Sequence, residues 1–95
     1  MFGDMMDKIK QMQASVEISK KNLDGILVDG KAEGILVKMN GNRRVQEITI
    51  DPNLINDKEA LEELMIIAFN RAVEEADSAY EQEMAKNARG LIPGM

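Results

Sequence analysis

Apolar positions between Met5 and Leu23 recur at Met5, Ile9, Met12, Val16 and Leu23, with Ser19 in the remaining slot. Steps of 4, 3, 4, 3 and 4 residues make a heptad-like seam and predict an amphipathic helix over about residues 5–23, its seam packed. Projection at about 100° per residue puts Lys10 and Lys21 opposite the seam, Lys8 and Lys20 on its flanks and Ile18 outward. From about residue 25 to 51 the period becomes two. The run "GILVDGKAEGILVKMNGNRRVQEITID" is rich in Ile, Val and Thr and punctuated by Gly; Ile35, Val37 and Met39 alternate with more polar neighbours, as do Ile48 and Ile50. Asn40-Gly41 is a type I′ hairpin signal, while the first hairpin turns at either Asp29-Gly30 or Glu33-Gly34. A three-stranded antiparallel meander is expected.

Asp51-Pro52 ends the last strand, because proline cannot donate to a ladder. Asn56 reads as a helix N-cap with Glu59 at N3 closing a capping box, and the helix that follows runs to about residue 88. Its length, about 45–50 Å, exceeds a compact body of this size, whose radius of gyration would be about 13 Å, so part of it projects. "ELMIIAFN" is apolar almost all round: Leu64, Met65 and Phe69 face one way while Ile66 and Ile67 cover the sides and back. Such a stretch needs wrapping on two sides, which predicts its own sheet on one and a second copy of the chain on the other, with Leu64, Ile66, Ile67 and Phe69 at the dimer interface. Beyond Arg71 only a stripe of Ala72, Ala76, Ala79 and Tyr80 remains. The fold class is α+β: N-terminal helix, meander, long C-terminal helix.

Ninety-five residues suggest one domain over 1–95, small enough to gain from a partner chain, with a Gly/Pro tail at 89–95. Neither Cys nor His occurs, so the commonest nucleophile, general base and zinc ligands are missing, and no motif gathers the carboxylates into a cleft. Catalytic residues, metals, cofactors and a small-molecule substrate are therefore not expected; the chain binds something. "MFGDMMDKIKQMQ" has no apolar h-region and no segment approaches the length of a membrane span, which points to a cytoplasmic protein with no membrane partner.

The formal charge of -5 is uneven: +1 over residues 1–23, -1 over 24–51 and -5 over 52–95. Glu74, Asp77 and Glu81 project onto one outward stripe of the long helix that would repel phosphate. Candidate nucleic-acid contacts are Lys8, Lys10, Lys20 and Lys21 on the first helix, the adjacent Arg43 and Arg44 after the Asn-Gly turn, and Lys86 and Arg89 near the far end.

These pieces resemble the YbaB/EbfC family of nucleoid-associated proteins. "MFGDMMDKIKQMQ" looks like its opening, "VKMNGN" followed by "ITIDPNLI" like its valine-rich strand, Asn-Gly turn and Ile-Asp-Pro-x-Leu, "AFNRAVEEA" like the core of its long helix and "GLIPGM" like its short tail. The resemblance implies a tweezer-like homodimer with projecting helical arms that binds duplex DNA in the bacterial nucleoid with little sequence preference. DNA contact attributed to the arms maps onto Lys8, Lys10, Lys20, Lys21, Lys86 and Arg89, with no catalytic residue or cofactor to carry over. The acidic long helix departs from a simple DNA-binding surface.

Phosphate binding needs local positive charge, since each neutralised phosphate releases condensed counterions. A dimer touching about six phosphates would show a log–log salt slope near about -5. At 0.15 M salt the Debye length is about 8 Å, so local cations outweigh the net charge. Of Arg43 and Arg44, one is expected to pair with a cross-strand acid and the other to stay free. Single-strand binding lacks aromatic platforms, since Phe2, Phe69 and Tyr80 are the only aromatics and none lies in the strands. No recognition helix carries base readout, so any preference would follow DNA shape. A second class of function is a protein-binding adaptor, with Met6, Met84, Met95, Ile18 and the acidic arms holding a protein partner.

Overall fold

The computed structural model describes the backbone of residues 2–91 and the side chains of residues 3–86. Helix α1 (Phe2–Asp24) leads into strands β1 (Leu27–Ala32), β2 (Ile35–Asn40) and β3 (Val45–Ile50), then a 3-10 turn (Pro52–Leu54) and helix α2 (Lys58–Leu91). The architecture is the expected α+β, with one antiparallel sheet in the order β1-β2-β3.

Residues paired across antiparallel strands share a face. The register places Val28 opposite Met39, Gly30 opposite Val37 and Ala32 opposite Ile35; Ile35, Val37 and Met39 in turn face Ile50, Ile48 and Val45. Helix α2 lies over β1 and β2, burying Ile35, Val37 and Met39 against Ala68, Ala72 and Ala76. The small-residue stripe permits this close approach. A Cβ at Gly30 would run into the Ala68 carbonyl oxygen and the Ala72 backbone nitrogen. Gly30 is therefore a packing residue inside β1, and the first hairpin turns at Glu33-Gly34, where Gly34 takes φ 82°. Strand β3 lies beyond the helix, which leaves Val45 and Ile48 each 40% exposed on the same apolar face.

The second hairpin is not the type I′ turn expected. That turn needs positive φ at both central residues, and Gly41 does not have it; the left-handed residue is Arg43, at φ 63°. Arg43 N–H donates to Asn40 O (3.0 Å) and Asn40 N–H to Arg44 O (2.9 Å), the pattern of a three-residue loop closed by a left-handed residue. Gly41 is small for another reason: a Cβ there would sit 2.6 Å from Leu23 Cδ2 and 3.1 Å from Leu23 O.

The start of α2 differs by one residue. Asp51 Oδ1 accepts Asn53 N–H (2.9 Å) to cap the 3-10 turn, which carries the chain on until Asp57 Oδ1 accepts Ala60 N–H (3.2 Å) and Asp57 O accepts Leu61 N–H (2.9 Å). Asp57, not Asn56, is the N-cap, and Glu59 closes no capping box on it.

The long helix projects. The radius of gyration is 18.7 Å and the longest dimension 66 Å, against about 13 Å for the radius of a compact chain of this length. Helix α1 meets α2 through its C-terminal half: Ser19 and Leu23 are buried, Ser15 and Val16 half-buried, and Asn22 Nδ2 donates to Glu83 Oε1 at 3.0 Å. Lys58 to Glu83 spans about 37 Å and Asn22 back to Phe2 about 30 Å at helical rise. Their sum matches the longest dimension, so α1 runs outward from that contact, continuing the line of α2. Every described residue from Gly3 to Ala14 is exposed. The seam expected to pack along the whole helix therefore packs only at its inner end, leaving Met5, Ile9 and Met12 more than half exposed because none of the described residues covers them.

Candidate nucleic-acid interface

The β2–β3 hairpin is fixed to the end of α1 by main-chain and asparagine contacts. Gly41 N–H lies within hydrogen-bonding distance of Leu23 O (2.9 Å) and Ile26 O (3.0 Å). Asn42 Nδ2 donates to Lys20 O (2.8 Å) and Asp24 Oδ1 (2.6 Å), and Asn40 Oδ1 accepts the backbone N–H of Asn42 (2.9 Å) and Arg44 (3.0 Å). These bonds satisfy carbonyls that the helix terminus leaves open and hold the backbone that carries both arginines.

The left-handed backbone at Arg43 sends the two side chains different ways. Arg43 Nε donates to Asp77 Oδ1 on α2 and its guanidinium lies 5.0 Å from the centre of the Tyr80 ring. The expected acid partner is thus real but helical rather than cross-strand, and Asp77 leaves the outward acidic stripe to meet the hairpin; Glu74 and Glu81 remain exposed. Arg44 is exposed and makes no ion pair among the described residues. It lines an open cleft of about 720 Å³ together with Lys20, Asp24, Asn40, Asn42 and Gln46.

Lys8, Lys10, Lys20 and Lys21 are all exposed and likewise without ion pairs among the described residues. The helix does not gather all four. On α1, Lys10 and Lys21 fall within about 20° of one another and Lys20 about 80–100° round from them, while Lys8 stands about 160° from Lys10. Three lysines and Arg44 therefore occupy the inner end and one flank of α1, with Lys8 on the other. Lys86 sits 3.9 Å from Glu83 Oε2. The side chain of Arg89 and the tail beyond residue 91 lie outside the described residues.

The proposed interface residues divide between two flanks of α2. Ile66 and Phe69 point the same way as Asp77 and Tyr80, toward the hairpin and β3, whereas Leu64 and Ile67 point toward β1. Ile66 is exposed and Phe69 half-buried, in an apolar groove of about 630 Å³ lined also by Leu61, Glu62, Met65 and Asn70. Strand β3, outside the groove's lining, leaves Val45 and Ile48 uncovered. Sequence reasoning missed the mounting role of Asn40, Asn42 and Asp24. Its signal was the Asn-Gly-Asn triplet, but the partners it needs lie on α1, out of reach of a local pattern. Among the described residues no group of acidic side chains is arranged to hold a metal ion, and no helix is long and apolar enough to cross a membrane.

A curated nucleoid-associated protein of Flavobacterium johnsoniae is 41% identical to this chain, over 96% of it and 91% of the relative. One from Chlorobium phaeovibrioides is 37% identical, over 96% and 85%. The crystal structure of an uncharacterized Helicobacter pylori protein shares the fold, with a TM-score of 0.76 over 96% of both chains at 19% identity. Residues 1–91 match the YbaB/EbfC DNA-binding family along their whole length. The chain belongs to the YbaB/EbfC DNA-binding family.

Proposed function

We propose that this protein is a nucleoid-associated protein of the bacterial cytoplasm that binds duplex DNA as a homodimer, mainly through backbone phosphates and with little sequence preference. It acts by binding, without catalysis or cofactor. The observation that carries this reading is the set Lys10, Lys20, Lys21 and Arg44: exposed cations along α1 and at its junction with the hairpin, free of ion pairs among the described residues, in a chain whose formal charge is -5. Lysines without acidic partners leave counterion release available as a driving force. Lys8, Lys86 and Arg89 add contacts along the arms.

What is left uncovered supports dimerisation. The apolar groove holding Ile66 and Phe69 and the exposed Val45 and Ile48 of β3 are apolar area that a second copy seated on this side of α2 would bury. The pairing would double the cation set and set two outward arms on one body.

The test is fluorescence anisotropy of an arbitrary duplex of about 30 base pairs across a salt series. Wild type should bind with a slope near about -5. A Lys8/Lys10/Lys20/Lys21→Glu variant that still dimerises should lose binding. No binding by wild type at 50 mM salt would reject the reading.

The exposed Met5, Met6, Ile9 and Met12 on outer α1 support a second reading, a clamp for a protein partner. Charge reversal at the lysines would leave such apolar capture largely intact, which separates the two.

A further inference from the structure

Two adjacent arginines on one hairpin would ordinarily count as one basic patch. Here their surroundings divide them. Arg43 is held by Asp77 and Tyr80 of α2, whereas Arg44 stands in the cleft with Lys20 at the end of α1.

The geometry points to a composite phosphate site in this cleft: Lys20 and Arg44 share a single backbone phosphate of the bound duplex, and Arg43 holds the hairpin in place without touching nucleic acid. The inference rests on the DNA-binding reading above and adds where, and with which pair, the hairpin takes part.

Three features support it. First, the mount is rigid while the cationic ends are free. Asn40 Oδ1 holds the Arg44 backbone N–H at 3.0 Å and Asn42 Nδ2 holds Lys20 O at 2.8 Å, so each residue is anchored through its main chain. Fixing the backbone beforehand reduces the ordering cost of binding. Second, the negative groups nearby are already occupied. Asp24 Oδ1 accepts from Asn42 (2.6 Å) and Asn40 (3.5 Å), and Lys20 O, Asn22 O and Leu23 O at the negative end of α1 each accept a donor from the hairpin or the following turn. Those bonds blunt the repulsion that a helix C-terminus would exert on an anion. Third, charge sets this cleft apart. Lys20 and Arg44 against Asp24 give it a formal +1, whereas the apolar groove on α2 carries Glu62 alone, -1, and the groove along α1 balances Glu17 with Lys20, 0. Arg44 supplies a planar fork suited to phosphate oxygens and Lys20 a point charge; Gln46 adds an amide at the rim.

A phosphate carries one charge, so one cation is enough to release its condensed counterions. Sharing therefore predicts synergy. K20Q and R44Q alone should each weaken duplex binding while leaving the salt slope nearly unchanged. The K20Q/R44Q double variant should lose about 0.9 of slope for each protomer engaged. R43Q should keep the wild-type slope and yet unfold at a lower temperature. Neither Lys20 nor Arg44 makes a side-chain ion pair among the described residues, so the first two variants should fold normally, which circular dichroism checks.

Full and additive slope losses in the single variants would mean that each cation holds its own phosphate, and would overturn the shared site. An unchanged slope in the double variant would remove the cleft from the interface. A slope loss in R43Q would overturn the division between the arginines. Absence of wild-type duplex binding would defeat the DNA-binding reading and this inference with it; in all other outcomes that reading stands.

Discussion

Arg43 Nε and Asp77 Oδ1 lie 2.5 Å apart, joining the tip of the β2–β3 hairpin to a position on α2 that follows 34 residues later. Both side chains are nearly half exposed, 46% and 44%, so solvent screens the pair. Exposed pairs contribute about 0–1 kcal/mol, and the Tyr80 contact about 0.5–1 kcal/mol more.

A double-mutant cycle on R43A and D77A should therefore give a coupling of about 0.5–1 kcal/mol by urea denaturation, shrinking at 1 M salt. A coupling above about 3 kcal/mol would mean the pair is far better shielded than its exposure indicates.

Gly30→Ala should be much the most damaging single-methyl change. The added carbon meets backbone atoms of Ala68 and Ala72, which cannot rotate aside, so α2 must lift off the sheet. A loss of about 3 kcal/mol or more is expected in chemical denaturation. Near-neutral stability would show that the helix can slide.

At the start of α2, Asp57→Ala should cost about 1 kcal/mol while Asn56→Ala costs a few tenths at most, because only the Asp57 carboxylate accepts a helix N–H there. Thermal or urea unfolding of the two variants side by side decides it; the reverse order would restore Asn56 as the cap.

Ile48→Asp and Ile66→Asp should each yield monomers in sedimentation velocity at micromolar concentration, where wild type is expected to sediment as a dimer. Both positions are already exposed in the single chain, so the substitutions disturb its own core little. A wild-type monomer would remove the proposed interface.

Element type and order were legible because periodicity reports which side of an element is buried. The alternation at Ile35, Val37 and Met39 and the four-residue spacing of Ala72 and Ala76 both mark faces that are buried in the structure. What escaped depended on partners distant in sequence. Asn40-Gly41 looked like the centre of a two-residue turn, yet Gly41 is there to clear Leu23, and the left-handed strain falls on Arg43. Asp29-Gly30 looked like a turn, yet Gly30 is there to admit α2. The α1 seam was visible, but a repeat cannot state how far along it a partner extends. At the candidate site the cations could be read off directly. That Arg43 turns to Asp77 while Arg44 lines a cleft with Lys20 could not, since both neighbours lie on helices distant in sequence.

The exposed stretch of α1 from Gly3 to Ala14 has about three turns with nothing beside them among the described residues. An isolated helix of that length is close to the balance point between wound and unwound in water, and winding is favoured by cold and opposed by heat. About 18 Å of the molecule's 66 Å length therefore behaves as an adjustable reach rather than a fixed dimension. Whatever settles on that stripe holds the arm wound and straight by settling there, and its measured affinity is what remains after the winding.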